Sequence, residues 1–494
     1  MKINITCFFL SIAAVAMLNS CQQKNGGSTA PAGDSSATKS AAQAKRLGKA
    51  TREDNNGWIY LHLAGAPGDI GFQHGYLAAN EIDTLMKVLQ YYLPSNSGKN
   101  WAFYRGAAQR FLWKKIDKEY QDEIKGIVDG LQAKGFKYDT LDVTAMNALY
   151  ELPGYYVPTL MNKAKPGSGD NRAPGNCSAF IATGSYTKDH KIVIAHNNWT
   201  DYIIGERWNV IADIKPEKGN EFLMDTGPGF IHSGDDFLIT KSGLMVTETT
   251  ITQFKGYDTT KTPEFVRARK AAQYSNSIDD FVKIMTTDNN GGYANDWLVG
   301  DNKTNEVAKL ELGLKVYKLW RSKDTAFIGT NFASDPKLLK EETTFDVNNK
   351  TTSPNARRKR MEQLVHVNYK GKLDDATGKT IEGDTYDALN NKKAYDRCVI
   401  DGHVDQDPLG AKEFNEAPFF PMGAVQGKVA TSDLAANMQF WAHMGHPGGD
   451  DFLAKPFFKQ HPQYFKTQGK YLRDMKAYPW TLFSAGSNIS MPKN

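Results

Sequence analysis

Cysteine is scarce in this chain, 4 among 494 residues. So few thiols exclude a disulfide framework and a zinc cluster. Two of them, Cys7 and Cys21, lie near the start, which leaves only Cys177 and Cys398 for the body. Charge of one sign is also lacking: 60 Lys and Arg stand against 55 Asp and Glu, a formal +5. The basic residues are scattered, so no nucleic-acid partner is expected. No apolar run is long enough for a comfortable spanning helix, and no solenoid repeat is visible. The balance, 40% hydrophobic and 23% charged, is that of an ordinary globular protein with one large core or several smaller ones.

The first residues carry an address. MKINITCFFLSIAAVAMLNSCQQK sets a Lys before a short apolar stretch that ends in Leu18-Asn19-Ser20-Cys21. A small residue directly before Cys resembles the lipobox of bacterial lipoproteins. Residues 1–20 are therefore expected as a signal peptide and Cys21 as the lipidated first residue of the mature chain. A plain secretory signal is the alternative, and either one exports the protein. The expected location is the bacterial cell envelope, periplasmic or outer-surface facing, with the membrane as a partner through the lipid anchor. Residues 22–50 are rich in Gly, Ser and Ala, so 21–56 reads as the lipidated Cys and a flexible linker.

From about Asp69 to Leu152 the apolar period is helical. Leu77, Ile82, Leu85, Met86 and Leu89 share one face, as do Ile124, Ile127, Val128 and Leu131, with Gly135 as a stop. A third helix is expected over 141–152. Residues 153–176 hold four prolines and several glycines and read as an exposed connector.

At Cys177 the period changes from 3.6 to 2. SAFIATG and KIVIAHN predict a β-hairpin, and RWNVIADIK with EFLMD predicts a second. FLIT with LMVTETTI predicts a third, helices follow over 263–287, and NDWLVGD and EVAKLELG resume the strands. Helices before and after a run of antiparallel hairpins indicate an α+β fold. Closing the first hairpin brings Cys177 beside His196–Trp199, a nucleophile next to polar groups.

These residues carry a resemblance. Cys177-Ser178-Ala179 followed by Ala195-His196-Asn197-Asn198-Trp199 resembles the phospholipase B-like, lamina ancestor-related proteins. The likeness continues in Ser233-Gly234-Asp235-Asp236-Phe237, Glu248-Thr249-Thr250 and Asn290-Gly291-Gly292-Tyr293-Ala294-Asn295-Asp296-Trp297. GFQHGYLAANEI (71–82) and SPNARRKRM (353–361) are more weakly similar to penicillin acyltransferase-like proteins. The motifs keep their order over roughly residues 57–460.

The resemblance implies an N-terminal nucleophile hydrolase of four layers, αββα, with two packed antiparallel sheets. It implies a chain that cuts itself between Asn176 and Cys177. Residues 57–176 would then be a helical segment and 177–494 the catalytic portion. Cys177 is the implied nucleophile, its new α-amine the base, and Asn295 the oxyanion donor. Asn198 orients substrate or amine, His196 tunes the thiol, and Arg357 fixes the site, with Arg360 close behind. Trp199, Trp297, Asp236 and Glu248 are expected around the substrate, although Asp235-Asp236 suits a structural turn at the start of a strand better than an acid/base pair, and both Trp suit a core. Cys398 reads as structural.

The expected reaction is hydrolysis of acyl ester or amide bonds, phospholipase B-like lipid deacylation first. An amidase or acyltransferase on N-acyl compounds is the alternative, and a non-catalytic surface lipoprotein keeping the fold is the third. No cofactor is expected. No metal is expected either, because His443 and His446 have no third ligand spaced with them.

Overall fold

Burial on alternate sides of single strands sets the architecture. In Trp58–Gly65, Trp58 and Tyr60 bury into one core, while Ile59, Leu61 and Leu63 bury into another. A strand with two apolar faces belongs between two covering layers. The computed structural model describes residues 34–164, 177–234 and 237–486. The chain divides into two units, residues 1–45 and 46–494, and all the strands belong to the second.

The strands in chain order are β1 (Thr51–Asn55), β2 (Trp58–Gly65), β3 (Ser178–Thr183), β4 (Val193–Asp201), β5 (Val210–Pro216) and β6 (Phe222–Thr226). Next come β7 (Leu238–Thr240), β8 (Leu244–Thr250), β9 (Asn295–Asp301), β10 (Glu306–Leu312), β11 (Tyr317–Ser322) and β12 (Thr325–Gly329). The last are β13 (Tyr386–Asp387), β14 (Lys392–Lys393), β15 (Met422–Thr431), β16 (Gln439–Met444) and β17 (Thr481–Ser484).

Among the described residues they form a nine-stranded sheet, β1-β2-β5-β6-β7-β8-β9-β10-β11, and a six-stranded sheet, β12-β3-β4-β15-β16-β17. β13 and β14 pair alone. The three predicted hairpins are present, with β3–β4, β5–β6 and β7–β8 each paired antiparallel, and β9 pairs with β10 in the same way. β2 and β5 are the exception in the large sheet, running parallel from Ile59↔Val210 to Gly65↔Pro216.

One apolar core holds residues of both sheets, among them Tyr60, Ile211 and Leu298 from the larger and Ile181, Ile194 and Phe440 from the smaller. The other face of the large sheet packs with the helices Ala79–Ser97, Lys118–Ala133 and Glu264–Tyr274 through residues such as Leu61, Phe222, Leu85, Ile127 and Phe265. The other face of the small sheet packs through Phe180, Val193 and Val429 with Met361 and Ile381 of the helices Ser353–Gln363 and Asp375–Glu382. The fold is α+β.

Two helices before the first long strand gap meet backbone to backbone. A Cβ on Gly75 of Pro67–Leu77 would stand 2.1 Å from the Ile127 carbonyl oxygen, and one on Gly126 of Lys118–Ala133 would stand 2.2 Å from that of Gly68. Only glycine permits that approach.

Two expectations need correction. Residues 34–47 of the anticipated linker are helical (Asp34–Leu47), in keeping with the helix-forming Ala, Lys and Arg of SSATKSAAQAKRL. Thr51–Asn55 is already a strand paired with β2, so folded structure begins before Gly57. The anticipated connector is also shorter than 153–176. Leu152–Tyr156 and Val157–Ala164 are helical, with Tyr155, Tyr156 and Val157 buried. Pro153 falls in the first turn of Leu152–Tyr156, where a missing N–H breaks no helical bond, and Pro158 lies where that π-helical turn passes into Val157–Ala164.

Candidate active site

The β3–β4 register, Ser178↔Asn197 and Ala179↔His196, sets Cys177 across from Asn198. The thiol Sγ lies 3.7 Å from Asn198 Oδ1, a weak S–H···O contact. On β4, His196 and Asn198 fall in step with Ile192 and Ile194, whose side chains enter the core between the sheets. Cys177 Sγ, a ring nitrogen of His196 and a carboxylate oxygen of Glu248 all lie within 4.8 Å of one another. All three residues are buried, and Cys177 has 0% exposure. Cys177 and Cys398 are both free thiols, not a disulfide.

The backbone of Cys177 is held on both sides. Its N–H donates to Asn331 Oδ1 at 3.0 Å. Its carbonyl oxygen accepts from Arg357 Nη1 at 2.6 Å, and the same Nη1 lies 2.9 Å from Ser178 Oγ. Arg357 Nη2 donates to Asn331 Oδ1 at 2.8 Å, and Nε to Ser353 Oγ at 3.0 Å. Arg357 Cζ lies over the Trp199 ring, 4.3 Å from its centroid, and the indole N–H donates to the Ile400 carbonyl at 2.9 Å.

Arg357 sits on Ser353–Gln363 and is wholly buried, so it is not part of a solvated basic face. Burial pulls its pKa down to about 10, while Cys177 and Glu413 oppose the fall. A cation therefore persists against the Cys177 backbone at neutral pH. Arg360 turns away to a bidentate pair with Asp384, at 2.8 and 2.7 Å.

Glu248 is clamped. Tyr293 Oη donates to its Oε1 at 3.0 Å. With the Asn295 amide oriented to satisfy both of its ends, Nδ2 donates to Glu248 Oε2 at 2.8 Å and to the Ala294 carbonyl at 2.9 Å. The amide expected to meet an oxyanion is thus engaged with the carboxylate. Burial, then Glu248 and Cys177, push the Tyr293 phenol well above its usual range, so it stays a donor. Trp297 pairs across from Glu248 and sets its ring against Phe281 at 5.5 Å. Asn176, Asp236 and Cys21 lie outside the described residues.

Sequence reasoning missed several members. Asn331 follows β12 with φ +72°, a conformation asparagine tolerates, and no motif marked it. Lys428 stands opposite His196 on β15 and donates to Asp225 Oδ2 at 2.9 Å, with both residues at 0% exposure. Asp225 in turn accepts from Ser233 Oγ at 2.9 Å. Alternation could have flagged Lys428, a lysine inside the apolar strand MGAVQGKVAT.

Residues of two other motifs make long-range contacts as well. His74 of GFQHGY accepts the Gly229 N–H at 2.9 Å through Nε2, and Gly229 has φ +82°. Asn290 Oδ1 accepts from Arg267 Nη2 at 3.2 Å. Among the described residues no helix is long and apolar enough to cross a membrane.

The sequence model of the family described as Phospholipase B matches residues 76–442. Among curated proteins, the chain is similar to an uncharacterized protein of Archaeoglobus fulgidus. The two are 22% identical over 269 residues, 51% of this chain and 42% of that protein. It is also similar to phospholipase B-like 1 of Homo sapiens, 30% identical over 138 residues, 26% of this chain and 25% of that protein. In neither case does the matched region reach half the length of the relative.

Proposed function

The chain belongs to the phospholipase B family, and from that premise we propose that it is a self-processing cysteine hydrolase of lipid-like acyl bonds. The observation that carries the reading is the seating of Cys177. Its backbone nitrogen rests on Asn331, its sulfur meets Asn198, and His196 and Glu248 stand beside the sulfur. Two sheets sharing one core, with helices over each outer face, support the αββα N-terminal nucleophile architecture.

In the first reaction Sγ adds to the carbonyl carbon of residue 176. The C–N bond to Cys177 breaks, its nitrogen gains the proton, and water hydrolyses the thioester to restore the thiol. The freed α-amine has an ordinary pKa of about 7.7–8.0 and sits on the same residue as the sulfur, so it serves as a built-in base worth roughly 10²–10⁴-fold. Asn331 holds that amine, and Arg357 holds the Cys177 carbonyl oxygen. Substrate acyl transfer repeats the step: Sγ attacks, the alcohol or amine leaves with the proton, and water releases the acid.

Asn295 serves the oxyanion once substrate draws its amide from Glu248, and His196 and Asn198 orient the thiol. Trp199 braces Arg357. Lipid-like substrates and attachment to the cell envelope through Cys21 complete the reading. N-acyl amides are the competing substrate class.

Intact mass and N-terminal sequencing of the purified protein test the reading. A fragment beginning at Cys177, absent from Cys177→Ala, is expected, together with release of fatty acid from phospholipid. An uncut chain with full turnover, or the same cut in Cys177→Ala, overturns it.

A further inference from the structure

A second buried cluster lies outside the site of Cys177. Asp401 and His403 come from one turn, and His446 follows β16. An Asp401 oxygen and one ring nitrogen each from His403 and His446 lie within 4.8 Å of one another. All three residues are at most 1% exposed. His443, the sequence neighbour that drew attention, is not part of the set: its Nε2 is engaged with the His446 carbonyl oxygen at 2.9 Å.

We propose that Asp401, His403 and His446 hold a divalent first-row transition ion, zinc the best match, which ties the 401–403 turn to the loop after β16.

Unspent donors point to a ligand. His446 Nδ1 and Asp401 Oδ1 are buried and have no hydrogen-bond partner among the described residues. Neither ring nitrogen of His403 makes a hydrogen bond there. Its polar neighbours are carboxylates, Asp401 Oδ2 at 3.5 Å and Asp405 Oδ1 at 3.9 Å. Buried polar atoms left unmatched are costly, and several converging on one point are uncommon without a bound group.

The two imidazoles stand 4.2 Å apart between centroids at 33°.

Geometry and chemistry fit. Ligands about 2.0–2.2 Å from a tetrahedral zinc stand roughly 3.3–3.6 Å apart, so closing the set needs shifts of about 1 Å. Two imidazoles with one carboxylate suit zinc, iron or manganese, and zinc binds more tightly than iron or manganese at such nitrogen-rich sites. Outer contacts already orient the ligands. Asp401 Oδ2 accepts the Gly448 N–H at 3.0 Å, and Tyr202 sets its edge against His446 at 5.5 Å while donating to Asp405 at 2.8 Å. The clip would also steady Ile400, whose carbonyl oxygen holds the Trp199 indole.

Cobalt(II) is the probe, added to chelator-treated full-length Cys177→Ala so that the thiol beside His196 and Glu248 cannot compete. One ion per chain is expected, with the visible d–d bands of a four-coordinate site and no thiolate-to-cobalt charge transfer. His446→Ala should weaken binding by at least about 100-fold. Should that variant fail to fold, His446→Gln and a chelator-reversible rise in Tm with zinc take its place. Absence of bound cobalt, a thiolate charge-transfer band, or unchanged affinity in the His446 variants overturns the proposal.

Discussion

Asn331 Oδ1 accepts two N–H groups at once, the backbone of Cys177 at 3.0 Å and Arg357 Nη2 at 2.8 Å. The nitrogen that a cut before Cys177 would release is therefore already tied to a side chain from another strand connection. Asn331 is itself fixed, since its Nδ2 donates to the Thr250 carbonyl at 3.0 Å.

Asn331→Gly removes the amide and keeps the positive φ. Turnover should fall about 10²-fold. The hydrogen bond to Oδ1 favours the protonated amine, so its loss should move the acid limb of the kcat profile to lower pH. An unmoved limb with lower kcat would assign Asn331 a purely structural role.

Cys177 is wholly buried in the uncut chain. Uncut protein should resist a bulky maleimide at Cys177, and cut protein should label there and lose turnover in parallel. Peptide mass mapping reads both. Cys398 should label in neither form, because burial pushes its thiol far above the ordinary range despite Arg397.

Arg357 has five donors and meets Cys177, Ser178, Asn331 and Ser353 with them. Arg357→Ala strands these acceptors in the interior and should cost about 3 kcal/mol or more, read as a lower denaturant midpoint at constant slope. Arg357→Lys keeps charge without the fork and should recover stability only in part. Full recovery would show that charge alone matters.

Burial lowers the His74 pKa to about 4. The folded ring must be neutral to accept from Gly229. Between pH about 6.5 and about 4 the unfolded chain binds a proton that the native chain refuses, so stability falls as pH drops through that window, by roughly 3 kcal/mol in all. His74→Gln should flatten the dependence. An unchanged slope in chemical denaturation from pH 7 to 4 would remove His74 as its source.

Much of this was legible from period and order. The hairpins around Cys177 announced themselves by alternation, and the β3–β4 register delivered His196 and Asn198 to the thiol as expected. Residues whose roles come from long-range closure were not legible. Asn331 is a single loop asparagine, and Asp401, His403 and His446 are separated by a strand pair. The run 153–164 misled because proline and glycine signal turns, whereas the aromatic pair Tyr155-Tyr156 supplied enough burial to keep it helical. Parallel pairing of β2 with β5 leaves no local mark at all, since the two segments are some 150 residues apart.

That parallel ladder gives the proposed scission a mechanical meaning. β2 precedes the cut and β5 follows it, yet they exchange main-chain bonds from Ile59 to Gly65 within one sheet. Two polypeptides would then be woven through a common fabric. Dilution or mild salt should leave the pieces together, and only conditions that melt the sheet should part them.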